Sequence, residues 1–244
     1  MRALLRLAGL LLLAFMALQL FFVLRIALMA WIDPQSTAFQ RSEALRIVRE
    51  QGRLRWQHDW VPYAQISREL KRAVIVSEDD GFIQHEGVEW DAVEKAWQKN
   101  ARAEQAVRQQ KQRASDAKGP MPKVVGGSTI TQQLAKNLLL SGERHLARKA
   151  QELVLTYALE LLLSKQRILE IYLNSVEWGE GIFGAEAAAR RYFGKSAAQL
   201  DAYQAARLAV MLPRPKFFEK RPESAYVEAR AQTIMARMPG AQLP

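Results

Sequence analysis

The chain of 244 residues has no cysteine and only three histidines, His58, His85 and His145, each isolated from the others. Disulfides are therefore excluded, and so is a zinc site of the usual cysteine and histidine spacing. There is no internal repeat, and no alternation of apolar and polar residues persists long enough to predict a major sheet. Negative charge is in deficit: 25 Asp and Glu face 35 Lys and Arg, giving a net charge of +10 and a pI near 10.0. That balance favours an anionic partner, whether nucleic acid, acidic lipid head groups or phosphate esters, and charge alone does not choose among them. A hydrophobic content of 49% with 25% charged residues excludes a disordered chain and leaves room for one domain plus an attachment.

Long apolar runs are scarce as well, with one exception. Leu7 to Leu24 is eighteen residues without a charge, Gln19 alone being polar, behind Arg2 and Arg6. Its length approaches the ~20 residues that cross a ~30 Å hydrocarbon core, and it exceeds the roughly 7–15 apolar residues of a cleavable signal. The run predicts an uncleaved anchor within residues 1–33; a cleaved signal peptide and a buried soluble helix are the competing readings. Basic residues ahead of the span predict a cytoplasmic N-terminus with the body on the other side. Arg25 stands at the far end, where it can snorkel to the interface, with Trp31 as an aromatic anchor before the Asp33-Pro34 break. An anchored chain points to lipid and phosphate ester rather than nucleic acid.

Residues 34–64 read as a juxtamembrane connector with a helix over Ser42 to Glu50, and the body as residues 65–244. Ile66, Leu70, Ala73, Val74 and Val76 have mostly helical spacing and carry the chain to Glu78. A helix is predicted from Val88 through Trp97. Between Gln98 and Lys123 large apolar residues nearly vanish, and Lys99 to Lys123 holds seven Lys/Arg against two Asp/Glu. Such a stretch cannot bury enough surface to offset ordering, so 98–123 is expected to be a mobile basic segment, either a plain surface loop or a flap over the site. Further helices are predicted over Ile130–Leu140, Leu146–Leu163, Lys165–Leu173, Gly184–Tyr192, Ala197–Met211 and Ser224–Met238, separated by glycine and proline breaks. The fold class is mainly α.

Two segments concentrate chemistry. Glu78 and Asp79 follow an apolar run, so at least one carboxylate should sit where the core meets a cleft, and partial burial raises a carboxyl pKa toward that of a useful proton acceptor. Gly126-Gly127-Ser128 precedes a helix on which Gln132 and Lys136 share a face with Gln133 and Asn137 adjacent, and Ser128 or Thr129 can accept the first free amide. Arg144, Arg148 and Lys149 follow. Cations and amide donors converging from consecutive elements suit a pyrophosphate better than a single carboxylate. Glu152 is the second acidic candidate, sharing a face with Arg148; an ordinary surface ion pair is the bland alternative, as a solvated basic face is for the cations.

The segments EDDGFIQHEG, GGSTITQQLAKNL, RKAQE and KQRILEIYLN, in this order, with GxxAAxxxYFGK from Gly184 to Lys195, closely resemble the motifs of family 51 peptidoglycan glycosyltransferases over about Gln65 to Pro215. The chain resembles the monofunctional, membrane-anchored form, since a transpeptidase domain has no room before residue 244. The resemblance implies a lysozyme-like, mainly α-helical domain that polymerises lipid II, the undecaprenyl-pyrophosphate-linked disaccharide-pentapeptide. It implies Glu78 as the general base on the acceptor 4-hydroxyl, Lys136 and Arg144 as pyrophosphate contacts joined by Arg148 and Lys149, and Glu152 as the group that orients those cations or stabilises the leaving group. Ser128, Gln132, Gln133 and Asn137 are the further substrate-binding candidates, and Phe82 and His85 are expected to give structural support.

No cofactor is required by the sequence and no metal-ligand cage is visible, although a divalent cation, Mg or Mn, could assist at the pyrophosphate. The implied partners are lipid II, the growing glycan strand, the bilayer and proteins of wall synthesis or division. The implied location is the bacterial inner membrane, single-pass, with the catalytic domain on the periplasmic side. Gly81 stands where the family often has a basic residue, Lys95 where many members have arginine, and Arg214 where asparagine often precedes the second proline. Lys95 is retained as a donor-side substrate contact. The alternatives are a lytic glycosidase of similar fold, which has no pyrophosphate to hold, and a non-catalytic membrane-tethered scaffold, which leaves the conjunction of Glu78 with the motifs unexplained.

Overall fold

Short polar side chains set the helix starts, and the apolar residues behind them set the packing. In the computed structural model, which describes residues 1–91, 93–95, 97–99, 101–102, 105, 127–140 and 146–244, most helices open on a side-chain cap. Ser67 accepts the Leu70 amide to begin α3 (Arg68–Glu78), and Thr37 and Thr129 form reciprocal capping boxes with Gln40 and Gln132 at α2 (Ala38–Gln51) and α4 (Ile130–Leu139). The long helix α1 (Arg2–Leu28) precedes them, and α5 (Leu146–Leu162), α6 (Lys165–Ser175) and α7 (Ala185–Phe193) follow. The expected Ala197–Met211 helix is two pieces: a 3-10 turn at Ala197–Gln199, then α8 (Ala202–Met211), because Asp201 turns its carboxylate onto the Gln204 amide at 2.9 Å and restarts the helix. The short α9 (Pro215–Phe218) and α10 (Ala225–Arg237) close the chain.

One apolar core holds these elements. Leu70, Ala73, Val74 and Ile75 of α3 are fully buried and meet Ala205, Leu208 and Ala209 of α8, which packs in turn on α10; α4 lies across α5 and α6. At about 25 cal/mol per Å² of apolar surface removed from water, the leucine, valine and isoleucine side chains among these are worth roughly 1.5–3 kcal/mol each before entropy is charged. A small three-stranded sheet lies beside the helices in the order β1-β3-β2. There β1 (Gln57–His58) runs parallel to β3 (Ile182–Phe183), and β2 (Glu177–Gly179) antiparallel to it.

The segment expected to be a connector is folded into the body. Ile47 of α2 is fully buried, β1 joins the sheet, and Asn174 clamps Val61 by accepting its amide at 3.0 Å and donating to its carbonyl at 2.9 Å. Arg167 ties in the end of the anchor region by donating to Asp33 at 2.7 Å. Of the basic 98–123 segment, residues 98, 99, 101, 102 and 105 are helical, and the rest lies outside the described residues.

Helix α1 is long and apolar enough to cross a membrane. Its last turns are docked: Ile26 is fully buried, Phe22 packs on the core, and Gln19 and Gln151 exchange amide hydrogen bonds at 3.0 and 2.9 Å, joining α1 to α5.

Gly181 is the tightest backbone point of the sheet. Its φ is +72°, a Cβ there would lie 2.1 Å from the Arg55 carbonyl oxygen, and its own carbonyl accepts the Gln57 amide at 2.8 Å. Gly181→Ala is expected to cost about 3 kcal/mol or more through strain and a lost close approach. Urea unfolding of the two proteins in one detergent measures it, and an unchanged midpoint would contradict this packing.

Candidate active site

The site is organised by a buried carboxylate that is not the expected base. Asp79, 5% exposed, accepts the Ile130 amide at the start of α4 on Oδ2 at 2.9 Å, and His85 Nε2 lies 2.8 Å from Oδ1. His85 Nδ1 accepts the Gly87 amide at 3.1 Å, so Nε2 carries the proton and donates to Asp79. Thr129 adds a second tie, its hydroxyl donating to the Gly87 carbonyl at 2.6 Å. Lys165 donates to the His85 carbonyl and to Glu160, and its ammonium stands over the Phe82 ring. His85 and Phe82 thus hold the turn together, in keeping with the structural role expected of them.

This turn delivers Glu78, the last residue of α3, to the wall of a cleft of about 540 Å³. Gln133 Nε2 donates to Glu78 Oε2 at 3.0 Å, and Tyr172 donates to Gln133 Oε1 at 3.0 Å, so a buried tyrosine fixes the amide and the amide fixes the carboxylate. Burial raises the Glu78 pKa, the Gln133 hydrogen bond opposes the rise, and the Asp79 charge adds to it. Burial next to the Glu78 and Asp79 charges also holds Tyr172 well above the ordinary phenol value, so it stays a neutral donor.

Lys136, Asn137, Ser128, Gln133 and Arg148 line the same cleft as Glu78. Glu152 stands behind them, 3% exposed, with Arg148 donating to it at 2.9 Å and Lys149 in close ion pair. It is no ordinary surface ion pair: a carboxylate this buried is tolerable because two cations and their hydrogen bonds compensate it, and in return it fixes where they stand. Other candidates stand elsewhere. Gln132 is 6% exposed, with its side chain spent on the capping box, and it borders an adjoining cavity together with Lys149. Lys95 is exposed on the helical stretch after Trp90, away from the Glu78 cleft, and Arg144 lies outside the described residues.

Sequence reasoning did not foresee the opposite part of the lining: Phe39 from α2, Tyr172, Glu177, and Pro213 and Pro215. Glu177 is 8% exposed, and its Oε1 is buried without a hydrogen-bond partner, 3.5 Å from Lys216 Nζ, which is itself in close ion pair with Glu43. Burial drives its pKa up to about 7, against the pull of Lys216 and with the push of Glu43. The groups come from residues 43, 177 and 216, so no local pattern announces them. No three histidine or acidic side chains gather into a metal cage among the described residues. Asp79 and Glu152 are already committed to protein donors, and no step is assigned to a divalent cation.

A helical domain that presents two desolvated carboxylates, Glu78 and Glu177, to a cleft walled by amides and cations has the form of a group-transfer enzyme. The transglycosylase family model matches residues 46–239, and the chain belongs to that family. Its relatives include biosynthetic peptidoglycan transglycosylases of Herminiimonas arsenicoxydans, 51% identical over 227 residues (93% of this chain, 91% of the relative), and of Paraburkholderia xenovorans, 50% identical over 231 residues (95% and 89%). A third, from Burkholderia ambifaria, is 51% identical over 231 residues (95% and 87%).

The raised Glu177 pKa predicts a stability signature. Between the ordinary carboxylate value of 4.5 and about 7 the folded state binds the Glu177 proton more tightly than the unfolded state. Stability from this group is therefore present at low pH and lost as pH rises through that window. Glu177→Gln removes the loss, so the Tm of the parent relative to the variant should fall between pH 5 and pH 8. A difference independent of pH would show that Glu177 is ordinarily ionised.

Proposed function

We propose that this transglycosylase polymerises peptidoglycan glycan strands from lipid II. The growing strand, held through undecaprenyl pyrophosphate, is the donor, and lipid II is the acceptor. Glu78 removes the proton of the acceptor 4-hydroxyl as that oxygen attacks the donor anomeric carbon. The new carbon–oxygen bond forms as the bond to pyrophosphate breaks, inversion gives a β-1,4 linkage, and undecaprenyl pyrophosphate departs with the electron pair. The observation that carries this reading is the shared cleft: a desolvated Glu78 held by Gln133 on one side, and Lys136 and Arg148 on the same lining, where a leaving pyrophosphate develops charge.

In this reading Glu152 positions Arg148 and Lys149, Ser128, Gln133 and Asn137 hydrogen-bond the substrate, and Gln132 contributes by shaping the start of α4. Arg144 is the further pyrophosphate contact and Lys95 a donor-side one, both by family resemblance. Helix α1 is the single-pass anchor in the bacterial inner membrane, with its N-terminus cytoplasmic and the catalytic domain periplasmic. The bilayer and the growing strand are its partners, with proteins of wall synthesis or division recruiting it.

Incubation of the detergent-solubilised protein with labelled lipid II, followed by separation of the products, tests the assignment. Glu78→Gln should lower polymerisation by roughly 10²–10⁴-fold; shortening of pre-formed glycan instead would indicate a lytic enzyme. Because the base must be ionised and its pKa is raised, activity of the parent should fall as pH falls through that raised value. Lys136→Ala should remain folded and lose activity, and full activity in it would remove the pyrophosphate assignment.

A further inference from the structure

A second cavity, about 710 Å³ and larger than the Glu78 cleft, opens on the other side of Pro213, which lines both. Ser77, the residue before Glu78, forms part of its wall, and the rest comes from α8, α9 and the start of α10. Arg214, Arg221 and Arg230 converge on it, and no acidic side chain lines it among the described residues. None of the three guanidiniums has a carboxylate partner among the described residues, whereas Arg207 and Arg237 nearby are paired with Glu223 and Asp80. Its apolar wall is aromatic: the Arg214 and Arg221 guanidiniums stand 4.8 and 5.8 Å from the Phe217 ring, Phe217 meets Phe218 edge-on, and Phe218 stacks on Tyr226 at 5.8 Å with the rings 5° apart.

Three like charges around one concavity repel each other, so an unliganded trio of this kind is matched by an anion of similar span. Guanidinium forks suit planar carboxylates in particular, and aromatic faces suit the carbon skeleton between them. Because Pro213 lines both cavities, a ligand seated at Glu78 can reach this one through an attached group. The substrate of the proposed polymerisation has such an attachment: a peptide arm, which ends in a carboxylate. An acidic lipid head group fits less well, since α1 docks on α5 and the cavity is built by α8 to α10.

We propose that the pocket of Arg214, Arg221, Arg230, Phe217 and Tyr226 binds the carboxylates of the peptide arm carried by the glycan substrate, so that this transglycosylase selects substrates with an anionic peptide. The inference rests on the polymerase reading for its ligand. It gives Arg214, one of the departures from the common family pattern, a substrate-selective role.

Two measurements keep the pocket and the polymerase reading separable. The first titrates the full chain in detergent with a soluble disaccharide-peptide bearing free carboxylates and with the same compound as its carboxamide. The parent should bind the free acid about tenfold more tightly, the effect of a charge-assisted hydrogen bond discounted for exposure. A triple variant, Arg214→Gln with Arg221→Gln and Arg230→Gln, should bind the two alike. The second compares kcat/KM for lipid-linked free-acid and carboxamide substrates, with the same ratio expected in the parent and a ratio near one in the triple variant. Equal binding in the parent, or selectivity that survives the triple substitution, overturns the proposal. So does an equal loss on both substrates, which would make the arginines pyrophosphate ligands, and so does lost binding to phosphatidylglycerol vesicles with peptide selectivity intact. Selective binding without polymer from either substrate supports the pocket and counts against the polymerase reading alone.

Discussion

The site depends on one buried carboxylate reaching across the chain. Asp79 sits at the end of α3, the amide it accepts is at the start of α4, and about fifty residues of sequence separate them. A carboxylate this buried is stable only when hydrogen-bonded, and a helix N-terminus supplies both a free amide and a favourable dipole. Because that bond fixes α4 against the turn after α3, Gln133 comes within reach of Glu78 and Lys136 comes onto the same cleft. His85 and Lys165 then hold the turn from below. Glu78 can thus remain poorly compensated, with a raised pKa, because its neighbour takes up the structural bonding.

The same division of labour recurs with the cations. Glu152 is removed from water and paired with Arg148 and Lys149, and it sets the direction in which Arg148 faces the cleft. On the other side of the cleft Glu177 is the undercompensated member, with Lys216 drawn off toward Glu43. The result is a cleft whose two walls differ in kind, one of ordered cations and amides, the other of aromatic, proline and a carboxyl group near neutrality.

What was legible in the sequence was mostly local. Periodicity located α3, α4, α5, α6, α7 and α10 to within a few residues, because each buries one apolar face and all but α5 start on a serine, threonine or glycine. Asp201 was a cap hidden inside an apolar stretch, and periodicity read through it. The motif pattern drew Glu78, Ser128, Gln133, Lys136, Asn137 and Arg148 to one site, and they do line one cleft. Residues 34–64 read as a connector because their composition is polar, yet α2 needs only Ile47 and Phe39 facing inward to join the body, and a two-residue strand leaves no pattern to find. Gln132 read as a substrate contact because it shares a face with Lys136; it also stands three residues after Thr129, the spacing of a capping box, and its side chain is used there.

The reciprocal amide pair between Gln19 and Gln151 sets how deep the enzyme sits. Gln19 lies within the apolar run, five residues before Leu24, or roughly 7 Å along the helix axis. With α1 in the bilayer, the contact carries the first half of α5 down to that level, and the exposed Val154, Tyr157 and Leu161 of the same helix become surface that hydrocarbon can wet. Arg148 is three residues from Gln151, about 4.5 Å along α5. Sliding α1 along α5 would break both amide hydrogen bonds, so the height of the apolar helix against the wall that carries Arg148 is set by the fold itself and not by the surroundings of α1.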